Sequence, residues 1–226
     1  MVKKIGIGVG VLLVAVLAFA ATRPDVDTYE RSLAMAASPE VVYGVVSDFH
    51  KWGDWSPWEK LDPAMAKTYE GAPSGQGAIY YWKGNKEVGE GRMTIVGVKP
   101  SERVDIKLEF IAPFEATNET SFSLKAAGTS TTTTWTMVGH NNFMMKVFCL
   151  FMDMEKQIGG DFEKGLAQLK TVTEAEQAKV NEAKRKADEA AQLAAKAVAD
   201  AAAAAAAAAP PASAPAAATA VVKKAK

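Results

Sequence analysis

The chain opens on an uninterrupted apolar run. Lys3 and Lys4 precede residues 5–21, which carry no charge, and Arg23-Pro24 closes the run. Glycines at 6, 8 and 10 are no obstacle to a helix, since lipid offers a backbone no other hydrogen-bonding partner. Beyond Pro24 the period changes. Residues 28–37 predict a strand with Tyr29, Leu33 and Met35 on one face. Ser38-Pro39-Glu40 supplies an N-cap, a proline at the first helical position and an acid in the first turn. A short helix over 39–46 follows, its apolar face Val42, Val45 and Val46. Residues 48–52 read as a second short helix broken by Gly53, and Trp55-Ser56-Pro57-Trp58 as a loop.

A series of strands separated by turn residues comes next, the pattern of an antiparallel sheet. Residues 65–70 end at Gly71-Ala72-Pro73-Ser74-Gly75, and 77–82 run into Gly84-Asn85, read as a tight hairpin turn. Residues 87–98 end at Lys99-Pro100-Ser101. Val104, Ile106, Leu108 and Phe110 alternate with Asp105, Lys107 and Glu109, a half-buried strand. Asn118, Thr120, Phe122 and Leu124 share a face of the following strand, which turns at Ala127-Gly128. The last strand, 131–138, puts Trp135 and Met137 on one side, and its threonine run favours strand over helix.

Asn141-Asn142 then caps a long helix predicted from Phe143 to about Lys170. Its stripe is Phe143, Val147, Phe151, Met154, Ile158, Phe162, Leu166 and Leu169, with a bend expected at Gly159-Gly160. Thr173-x-x-Glu176 has the form of a capping box and predicts a fresh helix over 174–209. Only Val180, Leu193 and Val198 interrupt its alanines and charges, so a solvated helix is expected rather than a coiled coil. Pro210-Pro211 should stop it, with disorder to Lys226. The chain thus divides into an anchor or signal segment (1–24), an α+β domain (25–171) and a low-complexity tail (172–226).

Charge narrows the function. Twenty-six acidic and twenty-six basic residues leave no net charge, and the absence of a basic cluster argues against nucleic acid as a partner. Cys149 is the one cysteine and sits in Phe148-Cys149-Leu150-Phe151, where a buried inert thiol is expected.

The order strand, two short helices, six strands, long helix is that of the helix-grip architecture, a curved antiparallel sheet around a long C-terminal helix. The sequence resembles the START / polyketide-cyclase (SRPBCC) superfamily over about 29–169. Ser38-Pro39-Glu40-Val41-Val42-Tyr43 is similar to the family's first capped helix, and residues 48–58 to its tryptophan-rich loop. Gly89-Glu90-Gly91-Arg92-Met93 and residues 151–156 resemble a membrane-anchored bacterial subgroup. The resemblance implies a cavity between sheet and helix. It does not choose among lipid carriers, hormone binders and cyclases, because function is a property of the site.

An apolar surplus points to binding. Trp55, Trp58, Tyr81, Phe110, Phe114, Phe122, Trp135, Met144, Phe148 and Met152 exceed what closing one sheet on one helix needs, and are the candidate cavity lining. The expected partner is an apolar small molecule or lipid, with a membrane engaged through residues 5–21. No cofactor, metal set or catalytic residue is assigned. His50 and His140 lie far apart in loops or caps, Asp153 falls off the apolar stripe, and Glu90 and Arg92 alternate on a strand in what reads as an exposed cross-strand arrangement. Two other classes stay open: a cyclase or dehydratase acting in the same cavity, and an adaptor working through the tail, whose partner the sequence does not name.

The apolar run also sets an expected location. Two lysines before it and one arginine after it place the domain outside the cytoplasm, in the periplasm. Seventeen residues at ~1.5 Å each reach about 26 Å, close to the hydrocarbon thickness and beyond most signal-peptide cores. Ala18-Phe19-Ala20 nonetheless offers a cleavage pattern, and secretion after cutting near Ala20 is the alternative. Amino-terminal sequencing of the protein from its own cells should show the run still attached. A chain beginning at Ala21 would refute the anchor, and a carboxy-terminal reporter active only in the cytoplasm would overturn the location.

Overall fold

The computed structural model describes residues 2–208, and the side chains of all of these except 2–5, 7, 9 and 206–208. Among the described residues four α-helices, α1 (Val2–Ala21), α2 (Pro39–Val46), α3 (Phe143–Phe148) and α4 (Met154–Ala208), accompany seven strands. The strands are β1 (Val26–Met35), β2 (Ala66–Gly71), β3 (Ala78–Lys83), β4 (Glu90–Lys99), β5 (Arg103–Ala112), β6 (Ala116–Ala127) and β7 (Ser130–His140). They pair antiparallel in the order β1-β7-β6-β5-β4-β3-β2. This is the α+β helix-grip arrangement expected from the sequence. A boundary between two compact units falls after Lys179.

Local chemistry explains the elements around the sheet. Ser38 Oγ accepts the Val41 N–H at 3.5 Å and Pro39 opens α2, which buries Val42, Val45 and Val46. Asp48 accepts the His50 N–H at 3.0 Å and starts a 3-10 turn, Phe49–Asp54; a second, Pro57–Lys60, occupies the expected loop. Bulges at Glu90/Gly91 and Ile95/Gly97 interrupt the β4–β5 ladder and add curvature. One layer of core lies on the concave face, from Met35 on β1 to Tyr80 on β3.

The carboxy-terminal part of the first unit clamps α4 to that face. Leu166 and Leu169 are buried, and Thr173 is enclosed against the sulfur of Met35. Glu174 accepts the Ala36 N–H and Gln177 accepts the Ser38 N–H, both at 2.8 Å, so α4 satisfies the backbone between β1 and α2. Arg31 reaches from β1 to Glu155 (2.9 Å) and Glu163 (2.8 Å).

Three local expectations are revised. Gly84-Asn85 does not form a tight turn. The ladder ends at Lys83↔Glu90, and 84–89 form a six-residue loop organised by the Asn85 side chain, which accepts the Glu87 N–H at 2.8 Å. The long helix does not begin at Phe143. After α3 the bonds tighten to i→i−3, and Asp153 then caps α4 by accepting the Lys156 N–H at 3.0 Å. The helical bonding of α4 continues through Gly159-Gly160, the expected site of a bend; a Cβ on Gly159 would lie 2.0 Å from Arg31 Nη2, so that glycine leaves room for a guanidinium. Thr173 does not cap a new helix, because its hydroxyl bonds back to the Leu169 carbonyl at 2.9 Å within an unbroken α4.

Beyond the boundary, residues 180–208 are exposed helix. Val180, Leu193 and Val198 are half or more exposed, and the anticipated Glu182–Lys186 pair is present at 3.4 Å. Pro210-Pro211 and the rest to Lys226 lie outside the described residues. At the other end, α1 runs beside α3. Among the described residues no helix is long and apolar enough to cross a membrane.

Two glycines of α4 should respond oppositely to alanine. A Cβ at Gly165 would come within 2.8 Å of Trp135 Cζ3 and 3.2 Å of Pro57 Cδ, whereas Gly160 faces open space. Gly160→Ala should stabilise the domain by up to ~1 kcal/mol through helix propensity. Gly165→Ala should destabilise it by ~1–3 kcal/mol through overpacking. Denaturant titration of the full chain reads both, and two stabilising changes would contradict the packing described.

Candidate functional site

The amino-terminal part of α4, α3 and the concave sheet face enclose a cavity of about 380 Å³, within the range of small-molecule sites. Its floor is aromatic. Trp135 on β7 stacks on Phe162 of α4 with ring centres 4.2 Å apart and planes 6° from parallel. Trp58 meets Trp135 edge-on at 5.7 Å. The Trp135 indole N–H donates to Thr120 Oγ1 at 3.0 Å, and that hydroxyl donates to the Thr136 carbonyl at 2.9 Å, so the buried ring carries no orphan donor.

The far wall rests on β3 and β4. Trp82 lies over Gly91, where a Cβ would come within 2.4 Å of the indole, and its N–H donates to the Val88 carbonyl at 3.0 Å. Phe110 crosses it edge-on at 6.1 Å. Leu108, Met93 and Met137 continue the apolar surface; Met145, Cys149, Met154 and Ile158 face it from the helical side, and Pro113 and Phe114 stand on the rim.

Polar groups are a minority of the lining, and several are committed to protein partners. Glu59 accepts the Tyr80 hydroxyl at 2.7 Å and pairs with Lys67. Burial, followed by that bond to Glu59, pushes the Tyr80 phenol far above its ordinary range. Asn141 donates to Asp27 at 2.6 Å. Tyr29 is pushed up to about 12, first by burial and then by Asp27. Burial also raises the Cys149 thiol, which keeps it protonated and a poor nucleophile.

Of the ten candidate lining residues, Trp58, Phe110, Phe114 and Trp135 line the cavity. Trp55 and Phe122 are wholly buried, packed at right angles 5.8 Å apart beneath Trp135. Tyr81 points to the opposite face of β3 and donates to Glu90. Met144, Phe148 and Met152 are 75, 46 and 38 % exposed, because the break at 149–153 resets the helical phase and turns Met145, Cys149 and Met154 inward instead. Tyr29, Tyr80, Trp82, Met137 and Phe162 were not in the candidate set. Their signal was the two-residue period of the strands and the apolar stripe of α4.

The polar candidates lie elsewhere, His140 excepted, which is an exposed part of the lining. His50 stacks on Tyr69 at 4.2 Å beside a separate shallow hollow. Glu90 pairs with Lys83 and Arg92 with Glu109, each at 2.8 Å across neighbouring strands. Asp153 is the exposed cap of α4. Among the described residues no group of three or more His, Cys, Asp or Glu side chains is placed to hold a metal.

Solved structures are similar to this one. A protein from Thermobifida fusca is 24% identical with a TM-score of 0.50, covering 65% of this chain and 92% of its own. A Chromobacterium violaceum protein is 16% identical (TM-score 0.48; 67% and 99% covered), and the Aha1 dimer from Colwellia psychrerythraea 15% (0.47; 66% and 96%). No curated protein matches the chain. All of the strands but Val26, the clamp on α4 as far as Glu174 and the whole cavity lining fall within residues 27–174, over which the chain matches the family model for polyketide cyclase / dehydrase and lipid transport, and to that family it belongs.

Proposed function

We propose that the domain binds one apolar small molecule or lipid in the cavity beneath α4, held beside a membrane by the run 5–21. The observation that carries this reading is the cavity itself: about 380 Å³ walled by four of the five tryptophans with Phe110, Phe162 and methionines. An apolar ligand there would lose water contact without meeting unpaired charge, which is the main source of affinity in such sites. The family description, lipid transport included, supports it. Support for the tether is the sequence of residues 5–21, part of whose side chains lie outside the described residues, and the two lysines ahead of them. The periplasmic side is the location that this charge asymmetry favours.

Leu108→Trp places an indole inside the cavity and serves as the blank. Full-length protein should yield an apolar molecule in organic extracts at near 1:1, or raise the fluorescence of the neutral probe N-phenyl-1-naphthylamine. The variant should lose most of either signal, ~10-fold or more. Equal signals from the two proteins, or none from either, would overturn the reading.

A further inference from the structure

The polar inventory of the cavity says more than that the ligand is apolar, provided that the binding reading holds. No lysine or arginine is among the lining residues. The acidic ones are Glu59, Glu87 and Asp161; Glu59 is matched by Lys67 and Asp161 by Lys164 at 3.0 Å, and Glu87 is exposed on the 84–89 loop. A carboxylate or phosphate entering this space would meet no lysine or arginine and only His140 at the exposed edge, and a buried charge without a partner is strongly disfavoured. A cationic head would find both buried-side carboxylates already paired.

Against that background the lining side chains Ser56, Gln157 and Tyr29 are uncommitted, and Tyr29 is the large one set on the sheet. It is 8% exposed and lines the cavity between Met137, its partner across β7, and Cys149. Unlike Tyr80, whose hydroxyl is held by Glu59, and Trp82 and Trp135, whose N–H groups are held by Val88 and Thr120, the Tyr29 hydroxyl has no hydrogen-bond partner among the described residues. The hydroxyl is open to the cavity rather than sealed in protein, and a donor that faces an apolar space without a partner favours whatever supplies an acceptor. The phenol, pushed up to about 12 by burial, carries its proton at neutral pH, so its O–H is available to donate.

We infer that the cavity selects an uncharged apolar ligand bearing a carbonyl or ether oxygen, which accepts a hydrogen bond from Tyr29. Tyr29 is thus a specificity residue, and the free acids and quaternary amines of the same chain length are excluded.

Four probes of equal chain length test this on the full chain in nanodiscs: 2-decanone, decanoate at pH 8, decyltrimethylammonium and decane. Tryptophan fluorescence reads binding, at free concentrations fixed by partition into empty discs. The ketone should bind at least ~10-fold more tightly than either ion. Tyr29→Phe should weaken the ketone by ~3–30-fold and leave decane unchanged. Either ion binding as tightly as the ketone overturns the inference, with no variant needed. An unchanged ketone affinity in a folded Tyr29→Phe protein overturns it too. Binding of decane with no preference among the others would remove the selectivity while sparing the binding reading, whereas no binding of any probe removes both.

Discussion

The stack of Trp135 on Phe162 is the contact on which the domain depends. It is where the sheet meets α4: the ring from β7 lies flat on the ring from the helix, with Trp55, Trp58 and Phe122 packed around it. Such pairs contribute about 0.5–1.5 kcal/mol beyond the area they bury. Their greater effect is geometric, since Gly165 lets the helix approach to within contact of the same tryptophan and Pro57.

Holding α4 there divides its first part in two. From Phe162 to Gln177 the helix is fastened to the fold by Leu166, Leu169, Thr173 and the two side-chain bonds to the backbone of Ala36 and Ser38. From Met154 to Asp161 it is fastened at its edge by Arg31, while Met154, Gln157, Ile158 and Asp161 face open space. The cavity is the consequence of a helix clamped at one end over a curved sheet. Trp82 and Phe110 keep the opposite wall apart because Trp82 is fixed twice, by Val88 and by the bare backbone of Gly91.

Much of this was legible in the sequence. Alternation and the turn residues between strands together placed all seven strands, and the Ser38-Pro39-Glu40 cap placed α2, because those signals are local. The site was legible only in part, for three physical reasons. Residues 78–82 contain no polar alternation, so nothing in the strand told Tyr81 from Tyr80 and Trp82; the register is settled by Gly91 on the neighbouring strand. Met144, Phe148 and Met152 were read on one continuous helix, and the cap at Asp153 shifts that phase. Trp55 and Phe122 are as aromatic as Trp58 and Trp135, and composition does not tell a ring packed on all sides from one that borders a void.

The central claim is that the space beneath the unclamped part of α4 receives an apolar ligand. Intermolecular nuclear Overhauser effects with 2-decanone test it most directly. The account predicts contacts from the probe to the indole protons of Trp82 and Trp135 and to the Ile158 methyl groups. Contacts confined to the exposed Met144 and Phe151 of the α3 region would contradict it.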